Sequence, residues 1–293
     1  MFQAAYAKAR GFTRPVVTCV RTVGDNCKGV VATYVVLNRD GWVLTAAHVV
    51  EGCLALIAAE NATRDRLAEI DAVKADQALS AKARATRLRA LSPPKATDVK
   101  NYSSWWSGSN LVDIRFIPGV DLAIGRLETF DPTTVAEYPT IKNPTTNFEP
   151  GTSLCKLGFP LQDTPISWDA AAAGFKIDVP AFPLFPIEGI LTRFVQNPAW
   201  QHASYPFPLL HIETSSPGLI GQSGGPTFDA KGRIWGIQVQ TSSHALGFVP
   251  EVKGKNGQKQ VEHQFLNVGL GVHASTIVGM LRQHGIHFDE SSD

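Results

Sequence analysis

The sequence of residues 221–226 is Gly-Gln-Ser-Gly-Gly-Pro, and this stretch decides which fold we expect. Glycines on both sides of a serine let the backbone adopt angles that other residues avoid, and they leave the hydroxyl of Ser223 exposed. The amides of Gly221 and Ser223 can then point into one small cavity, where they would stabilise an oxyanion. A glycine-rich turn without a chemical role is the alternative, but this arrangement of three glycines and a proline favours a nucleophile.

Two further stretches supply the groups that a serine nucleophile needs, namely a base and a residue that orients the base. In residues 44–50, Leu-Thr-Ala-Ala-His-Val-Val, His48 follows an apolar strand and small residues. Asp121 directly precedes an apolar strand, where its carboxylate can fix the tautomer of a neighbouring imidazole. Taken alone, His48 could be an ordinary core or surface histidine and Asp121 an ordinary turn residue. Asp113 is a rival to Asp121.

In chain order, the motifs TAAHVV, DLAI and GQSGGP resemble those of the trypsin/chymotrypsin superfamily. The resemblance is closest to the Deg/HtrA-type peptidase domain, without a PDZ domain after it. The similar details are Thr214, nine residues before the serine, Gly-Phe-Pro at 158–160, and the stretches 233–239 and 269–285. The resemblance implies a serine endopeptidase with the catalytic triad His48, Asp121 and Ser223, an oxyanion hole from Gly221 and Ser223, and no cofactor or metal.

The order of β-branched segments and turns predicts an all-β fold of two antiparallel six-stranded barrels. We expect an N-terminal half at residues 1–135 and a C-terminal half at 148–293, joined by a Pro/Thr/Asn-rich connection. Residues 53–92 are rich in alanine and free of glycine and proline after Gly52, which predicts a helical insertion in the first barrel. A helix at about 275–285 should close the chain.

The residues around the serine also predict substrate preference. In the family that the motifs resemble, the base of the specificity pocket lies six residues before the serine, and Pro217 stands there without an acid. Selectivity for Lys or Arg is therefore not expected. The resemblance places the pocket walls at Ile220 and at Gln238, Val239 and Thr241, with His244 as a further candidate. We expect small or medium uncharged side chains before the cut, and a substrate strand paired with the backbone of Val239 and Thr241.

Gln222 departs from the zymogen-type trypsins, which carry an aspartate before the serine that pairs with a newly cut N-terminus. We therefore expect activity without N-terminal cleavage.

Composition narrows the class of partner. The chain has 293 residues, 44% of them hydrophobic, and a net charge of +1, so neither nucleic acid nor an acidic membrane is an expected partner. No apolar run is long enough for a membrane span or a signal peptide. The four cysteines show no zinc-site spacing and favour free thiols, which with the missing family disulfides predicts a cytoplasmic protein. Expected partners are a protein or peptide substrate and a regulatory protein at the helical insertion. The oligomeric state is left open.

Two other functions fit part of the pattern. The five residues 221–225 also match the G-x-S-x-G motif of α/β-hydrolases, but the segment after Ser223 is strand-like instead of helical. Other histidines could serve as the base in such an enzyme: His211, His244, His263 and His273. The second alternative is a binding module that kept the fold without catalysis, or one that a partner activates, although no motif residue is damaged.

Overall fold

The computed structural model describes residues 2–160, 164–178, 182–248, 250–253, 259–261 and 264–293. Most of the regular secondary structure in these residues is β-strand, which confirms the predicted fold class. Its α-helices are α1 (Gln3–Phe12), α2 (Ala47–Ala75), α3 (Ala81–Ala90) and α4 (Ala274–Gln283). None of these helices is both long and apolar enough to cross a membrane.

The first sheet has six antiparallel strands in the order β4-β1-β2-β3-β6-β5. Asn38 and Gly41 form the tight turn between β2 and β3, where Asn38 Oδ1 accepts from two backbone amides and Gly41 has a φ of +78°. The bounds are β1 (Thr13–Thr22), β2 (Cys27–Val36), β3 (Trp42–Ala46), β4 (Val99–Trp105), β5 (Leu111–Ile117) and β6 (Leu122–Leu127).

The second half contributes the remaining strands, including two short hairpins, β9 with β10 and β15 with β16. Six strands close into a ring because β13 pairs with both β8 and β14. The bounds are β7 (Thr140–Ile141), β8 (Ser153–Gly158), β9 (Ile166–Asp169), β10 (Gly174–Ile177), β11 (Phe185–Val195), β12 (His211–Thr214), β13 (Pro226–Phe228), β14 (Ile234–Ala245), β15 (Glu251–Lys253), β16 (Lys259–Val261), β17 (Phe265–His273) and β18 (Asp289–Glu290).

The architecture differs from the prediction in detail. The second sheet has eight strands, since β7 and β18 add in parallel beside the ring. The first sheet is a half-barrel whose edge strands are β4 and β5. Helix α2 covers the β4 edge, where the carboxylate of Glu60 accepts from the backbone amide of Tyr102 at 3.1 Å. An edge amide bonded to a helix side chain is not available to another strand.

The helices also differ from expectation at their ends. Helix α2 begins six residues earlier than the predicted insertion, so that His48 lies in its first turn instead of in a loop. Helix α4 spans 274–283, close to the predicted 275–285. Helix α1 was not predicted, and it packs through Ala5, Ala9 and Phe12, all of which are buried.

One buried apolar cluster joins the two halves of the molecule. It includes Leu44 and Ile124 from the first sheet, Leu157 and Val272 from the second, and Ala9 from α1. Each of these side chains is at most 1% exposed, so the sheets share a continuous core. A shared core holds the strands that carry the candidate site in a constant relative position.

Candidate active site

The carboxylate of Asp121 holds His48 at two points. Its Oδ2 lies 2.7 Å from the ring Nδ1 of His48, and its Oδ1 accepts from the backbone amide of His48 at 2.8 Å. With Nδ1 bonded to an acceptor, the ring carries its proton there and leaves Nε2 as the free base. Two of the three predicted triad residues are therefore together, in the orientation that general-base catalysis requires.

Helix α2 explains why this contact is well defined. Its N-cap residue, Ala46, has no side-chain acceptor for the first helical amides. Asp121 takes that role, since its backbone carbonyl accepts from the amide of Ala47 at 3.0 Å and its carboxylate from that of His48. Asp121 has a φ of +60°, which is uncommon for a residue other than glycine. A carboxylate is also favoured at the positive end of a helix dipole.

The ring of His48 is partly exposed, with 48% of its side chain accessible. The hydrogen bond that His48 donates to Asp121 raises the pKa of His48 above its ordinary value of 6.5. Partial burial opposes this shift, and the charges of Asp121 and Glu51 add to it. The imidazolium form is thus stabilised, as expected of a base that takes up a proton during a reaction.

The rival candidates have other partners. Asp113 forms an ion pair with Arg126 at 2.7 Å on the surface. The buried His211 bonds through Nε2 to the carbonyl of Val120, and His273 caps helix α4. His244 lies 3.9 Å from the carboxylate of Glu213, and His263 lies outside the described residues.

The loop that carries Ser223 is bonded to strand β2 by one residue, Thr33. The amide of Thr33 donates to the carbonyl of Ser223 at 2.9 Å, and its hydroxyl donates to the carbonyl of Gly221 at 2.7 Å. The hydroxyl of Thr45, three residues before His48, donates to the carbonyl of Thr33 at 2.8 Å. A chain of hydrogen bonds therefore connects the serine loop to the strand that leads into His48.

Gly224 brings the same loop into direct contact with β3. It has a φ of +86°, and a Cβ atom there would lie 2.0 Å from the carbonyl oxygen of Thr33 and 2.2 Å from the hydroxyl of Thr45. Any side chain would push the serine loop away from the strand that carries the histidine. The hydroxyl of Ser223 itself makes no hydrogen bond with a residue that the structure describes. Such bonds are often long without substrate and shorten in the complex.

Two backbone amides of the loop remain available as donors. The amides of Gln222, Gly224 and Gly225 donate to the carbonyls of Leu219, Gln238 and Gln222. Those of Gly221 and Ser223 donate to no acceptor in the described chain. They are the two amides that the sequence assigned to the oxyanion hole.

A cavity of about 180 Å³ opens beside the serine. It brings together Ser223 and four of the predicted pocket residues, Ile220, Gln238, Val239 and Thr241, and its other lining residues are Gly218, Leu219 and Gln240. Pro217 and His244 are not among these lining residues. The carbonyl of Pro217 accepts instead from the side chain of Lys156 at 2.9 Å.

The comparison with known families decides the assignment. Residues 32–237, more than two thirds of the chain, match the family model described as a trypsin-like peptidase domain. The chain belongs to the trypsin-like peptidase family. No curated protein matches this peptidase in sequence.

Solved structures with a similar fold are proteases. One is the active form of the Rv3671c protease from M. tuberculosis, with 13% identity over 97% of this chain and 86% of that chain and a TM-score of 0.45. Another is the HtrA-type protease AlgW with a tripeptide, with 14% identity over 98% of this chain and a TM-score of 0.45. The peptidase spans 65% of the AlgW chain. At these values the likeness says nothing about substrate or mechanism.

Lys156 is a residue of the peptidase that sequence reasoning did not find. Its side chain, 1% exposed, donates from Nζ to the hydroxyl of Thr214 at 3.0 Å and to the carbonyls of Ser216 and Pro217. Burial lowers the pKa of Lys156 to about 7. Gly269 on β17 makes the room, because a Cβ atom there would lie 2.5 Å from Nζ. The position of this lysine within the apolar strand β8 was the sequence feature that could have indicated a buried amino group.

The four cysteines are free, and Cys19, Cys53 and Cys155 are buried. Burial is the main cause that raises the pKa of Cys19 and of Cys155 to about 11. Within the described ranges no group of three or more His, Cys, Asp or Glu residues could hold a metal ion.

Proposed function

We propose that this trypsin-like peptidase is a serine endopeptidase whose triad is His48, Asp121 and Ser223. Ser223 Oγ attacks the peptide carbonyl while Nε2 of His48 takes its proton, and the oxyanion is bound by the amides of Gly221 and Ser223. The imidazolium then protonates the leaving amine, and the acyl-enzyme is released when His48 deprotonates a water molecule. Asp121 keeps the ring in place and stabilises its charged form.

The observation that carries this proposal is the pair of hydrogen bonds between Asp121 and His48, because they select one tautomer and one orientation of the ring. The serine loop supports it independently, because within residues 221–225 the two amides without an acceptor in the described chain, those of Gly221 and Ser223, are the ones that an oxyanion would need.

The substrate we propose is an extended segment of a protein or peptide. It would pair with β14 at Val239 and Thr241, beside the register shift that β14 makes against β17 between Gln238 and Gln240. The side chain before the cut would be small or medium and uncharged, because the cavity is small and lacks an acid.

The test is hydrolysis of a denatured protein by the wild type and by Ser223→Ala, with mass spectrometry of the products. We expect cleavage by the wild type only, and a fluorophosphonate adduct on Ser223. A folded wild type that neither cleaves nor forms the adduct would favour the alternative, a non-catalytic binding module. Labelling that begins only after a partner is added would favour a partner-activated enzyme.

We further propose that the insertion, α2 with α3, is where a regulatory protein would bind. Helix α3 buries none of its residues, and α2 continues directly from His48 to this surface. The cytoplasmic location remains a proposal that the four free thiols support. The oligomeric state is not part of the proposal.

A further inference from the structure

Gln238 is a buried polar residue beside the nucleophile with an unused acceptor. Gln238 lies on β14 and is 2% exposed. It lines the same cavity as Ser223. Its Oε1 has no hydrogen-bond partner among the described residues. A buried amide oxygen without a donor costs stability, so it is expected to serve a purpose at a binding site.

The identity of the free atom is decided by its neighbour. Nε2 of Gln238 donates to the carbonyl of Gln240 at 2.7 Å. Rotating the amide by 180° would place two acceptor oxygens against each other at that distance, so the oxygen must be the unpaired atom.

The position of Gln238 relative to the nucleophile is also determined. Its backbone amide donates to the carbonyl of Gly225, and its carbonyl accepts from the amide of Gly224, both at 2.8 Å. Its side chain packs under Gly218, where a Cβ atom would lie 2.2 Å from Nε2. The acceptor is therefore held against the serine loop from two sides.

Two polar side chains near Gln238 already have partners, whereas that of Gln240, which also lines the cavity, is exposed. The hydroxyl of Thr241 donates to the carbonyl of Gly218 at 2.5 Å. Lys156 directs its Nζ to Thr214, Ser216 and Pro217, which leaves it no proton for Gln238. No cavity-lining residue is charged, and Oε1 is the buried side-chain acceptor of the cavity that has no partner among the described residues.

We propose that Oε1 of Gln238 accepts a hydrogen bond from the substrate side chain before the cut, so that this peptidase selects neutral donors, above all the carboxamide of asparagine. The inference rests on the proposed endopeptidase function and specifies its substrate class. An apolar side chain of equal size would fill the cavity and leave Oε1 buried without a donor. Sites built around such a bond discriminate strongly against the analogue that lacks it.

The experiment uses two fluorogenic peptides that differ only in the residue before the cut, asparagine or leucine, which are similar in size. For the wild type, kcat/KM should favour asparagine by about tenfold or more. Gln238→Met, which keeps length and removes the acceptor, should reduce this preference to about twofold or less. Gln283→Met, at an exposed position on α4, is the matched control and should keep the wild-type ratio.

Gln238→Glu provides a second variant in case Gln238→Met folds poorly, which circular dichroism would reveal. It retains an acceptor and adds a negative charge, so it should cleave after lysine better than the wild type does. A wild type that prefers leucine, or variants that leave the asparagine preference and lysine cleavage unchanged, would overturn the assignment of Gln238.

Binding separates this inference from the catalytic proposal. Ser223→Ala cannot hydrolyse the peptides, and its affinities for the asparagine and leucine peptides are measured by fluorescence polarisation. If the wild type is inactive but Ser223→Ala binds the asparagine peptide more tightly, the catalytic proposal fails and the role of Gln238 stands. Equal affinities would reject the role of Gln238 whatever the activity.

Discussion

At the residue scale, one aspartate links the folding of the first sheet to the chemistry. Asp121 caps helix α2 through its backbone carbonyl and carboxylate and orients the ring of His48 with the same carboxylate. The cap and the catalytic orientation depend on one left-handed residue after the short 3₁₀ turn Pro118–Val120. A change at this residue should therefore affect both rate and stability.

Asp121→Asn should lower kcat by about 10⁴-fold, because an asparagine leaves the geometry intact but not the tautomer of the base. The amide can present its NH₂ group to Nδ1, which favours the wrong tautomer of His48. The stability loss should be only about 0.5–2 kcal/mol, as for a weakened helix cap. Steady-state kinetics and urea unfolding measure the two effects, and Asp113→Asn is the control that should retain activity.

The pH profile follows from the raised pKa of His48. Catalysis needs the neutral ring, so kcat/KM should fall on the acid side with a midpoint above the ordinary value of 6.5. In a mutant retaining residual activity, such as Asp121→Asn, that midpoint should move to lower pH because the main cause of the shift is removed. A midpoint below 6.5 in the wild type would contradict this account of His48. Stability should respond in the opposite sense, since the contribution of this contact is present at low pH and is lost as pH rises through the raised pKa.

Lys156 should leave a signature in stability. Its folded pKa, about 7, lies below its ordinary value of 10.5, so unfolding takes up a proton between these values. Stability should therefore rise between pH 7 and 8.5 by up to about 1.4 kcal/mol per pH unit more in the wild type than in Lys156→Met. Urea unfolding at several pH values tests this. Lys28→Met, at an exposed position, should keep the wild-type slope.

At the scale of elements, the site depends on how strand β2 meets the serine loop. Thr33 is fully buried and uses its amide, its hydroxyl and its carbonyl in the hydrogen bonds that join the loop to β2 and β3. The loop carries the proposed nucleophile and oxyanion donors, while β3 leads into the proposed base. The register between these elements is thus set by hydrogen bonds across the boundary of the two sheets.

Thr33→Val should destabilise the fold by about 1–3 kcal/mol, because the carbonyl of Gly221 loses its donor in a buried place. It should also lower kcat, because Gly221 supplies an oxyanion amide. Thr227→Val is a matched control: Thr227 is equally buried, but its hydroxyl has no partner among the described residues. That change should be neutral or stabilising. The test compares the melting temperature and kcat of the two variants. Equal effects of both changes would refute the role of Thr33.

At the scale of the whole molecule, the N-terminal segment is part of the folded structure. Helix α1 buries Ala5, Ala9 and Phe12 in the shared core, and Phe2 packs edge-on against Phe228 of β13. The serine loop needs no new N-terminus for support, because Gln222 is fully buried and bonds to the amide of Leu219 and the carbonyl of Phe185. These contacts agree with the expectation of activity in the uncut chain.

Removal of residues 1–12 should therefore lower the melting temperature and should not increase activity. The physical reason is that burial of the apolar face of α1 is lost, while the serine loop keeps its own hydrogen bonds. Thermal unfolding and kcat/KM of the full and shortened chains measure this. Activity that appears only after the removal would show that this peptidase is a zymogen.

The sequence alone was sufficient for the family, the fold class and the candidate triad, because these depend on short motifs whose backbone requirements are local. Such requirements are visible in a few adjacent residues, as in the glycines around Ser223 and the apolar strands before His48 and after Asp121. The insertion could be predicted as helical for the same reason. The choice of Asp121 over Asp113 came from the resemblance of the DLAI motif to the family and not from local pattern, since both aspartates precede β-branched or apolar residues.

Only the tertiary structure decided the contacts between residues that are far apart in the chain. Thr33, Lys156 and the amide of Gln238 look ordinary in sequence, because nothing in their neighbours shows which buried oxygen or loop they will face. The early start of α2 was missed because its cap comes from Asp121, 73 residues after His48. Hydrogen bonds of this kind depend on which distant strands and loops become neighbours in the fold, which no local pattern encodes.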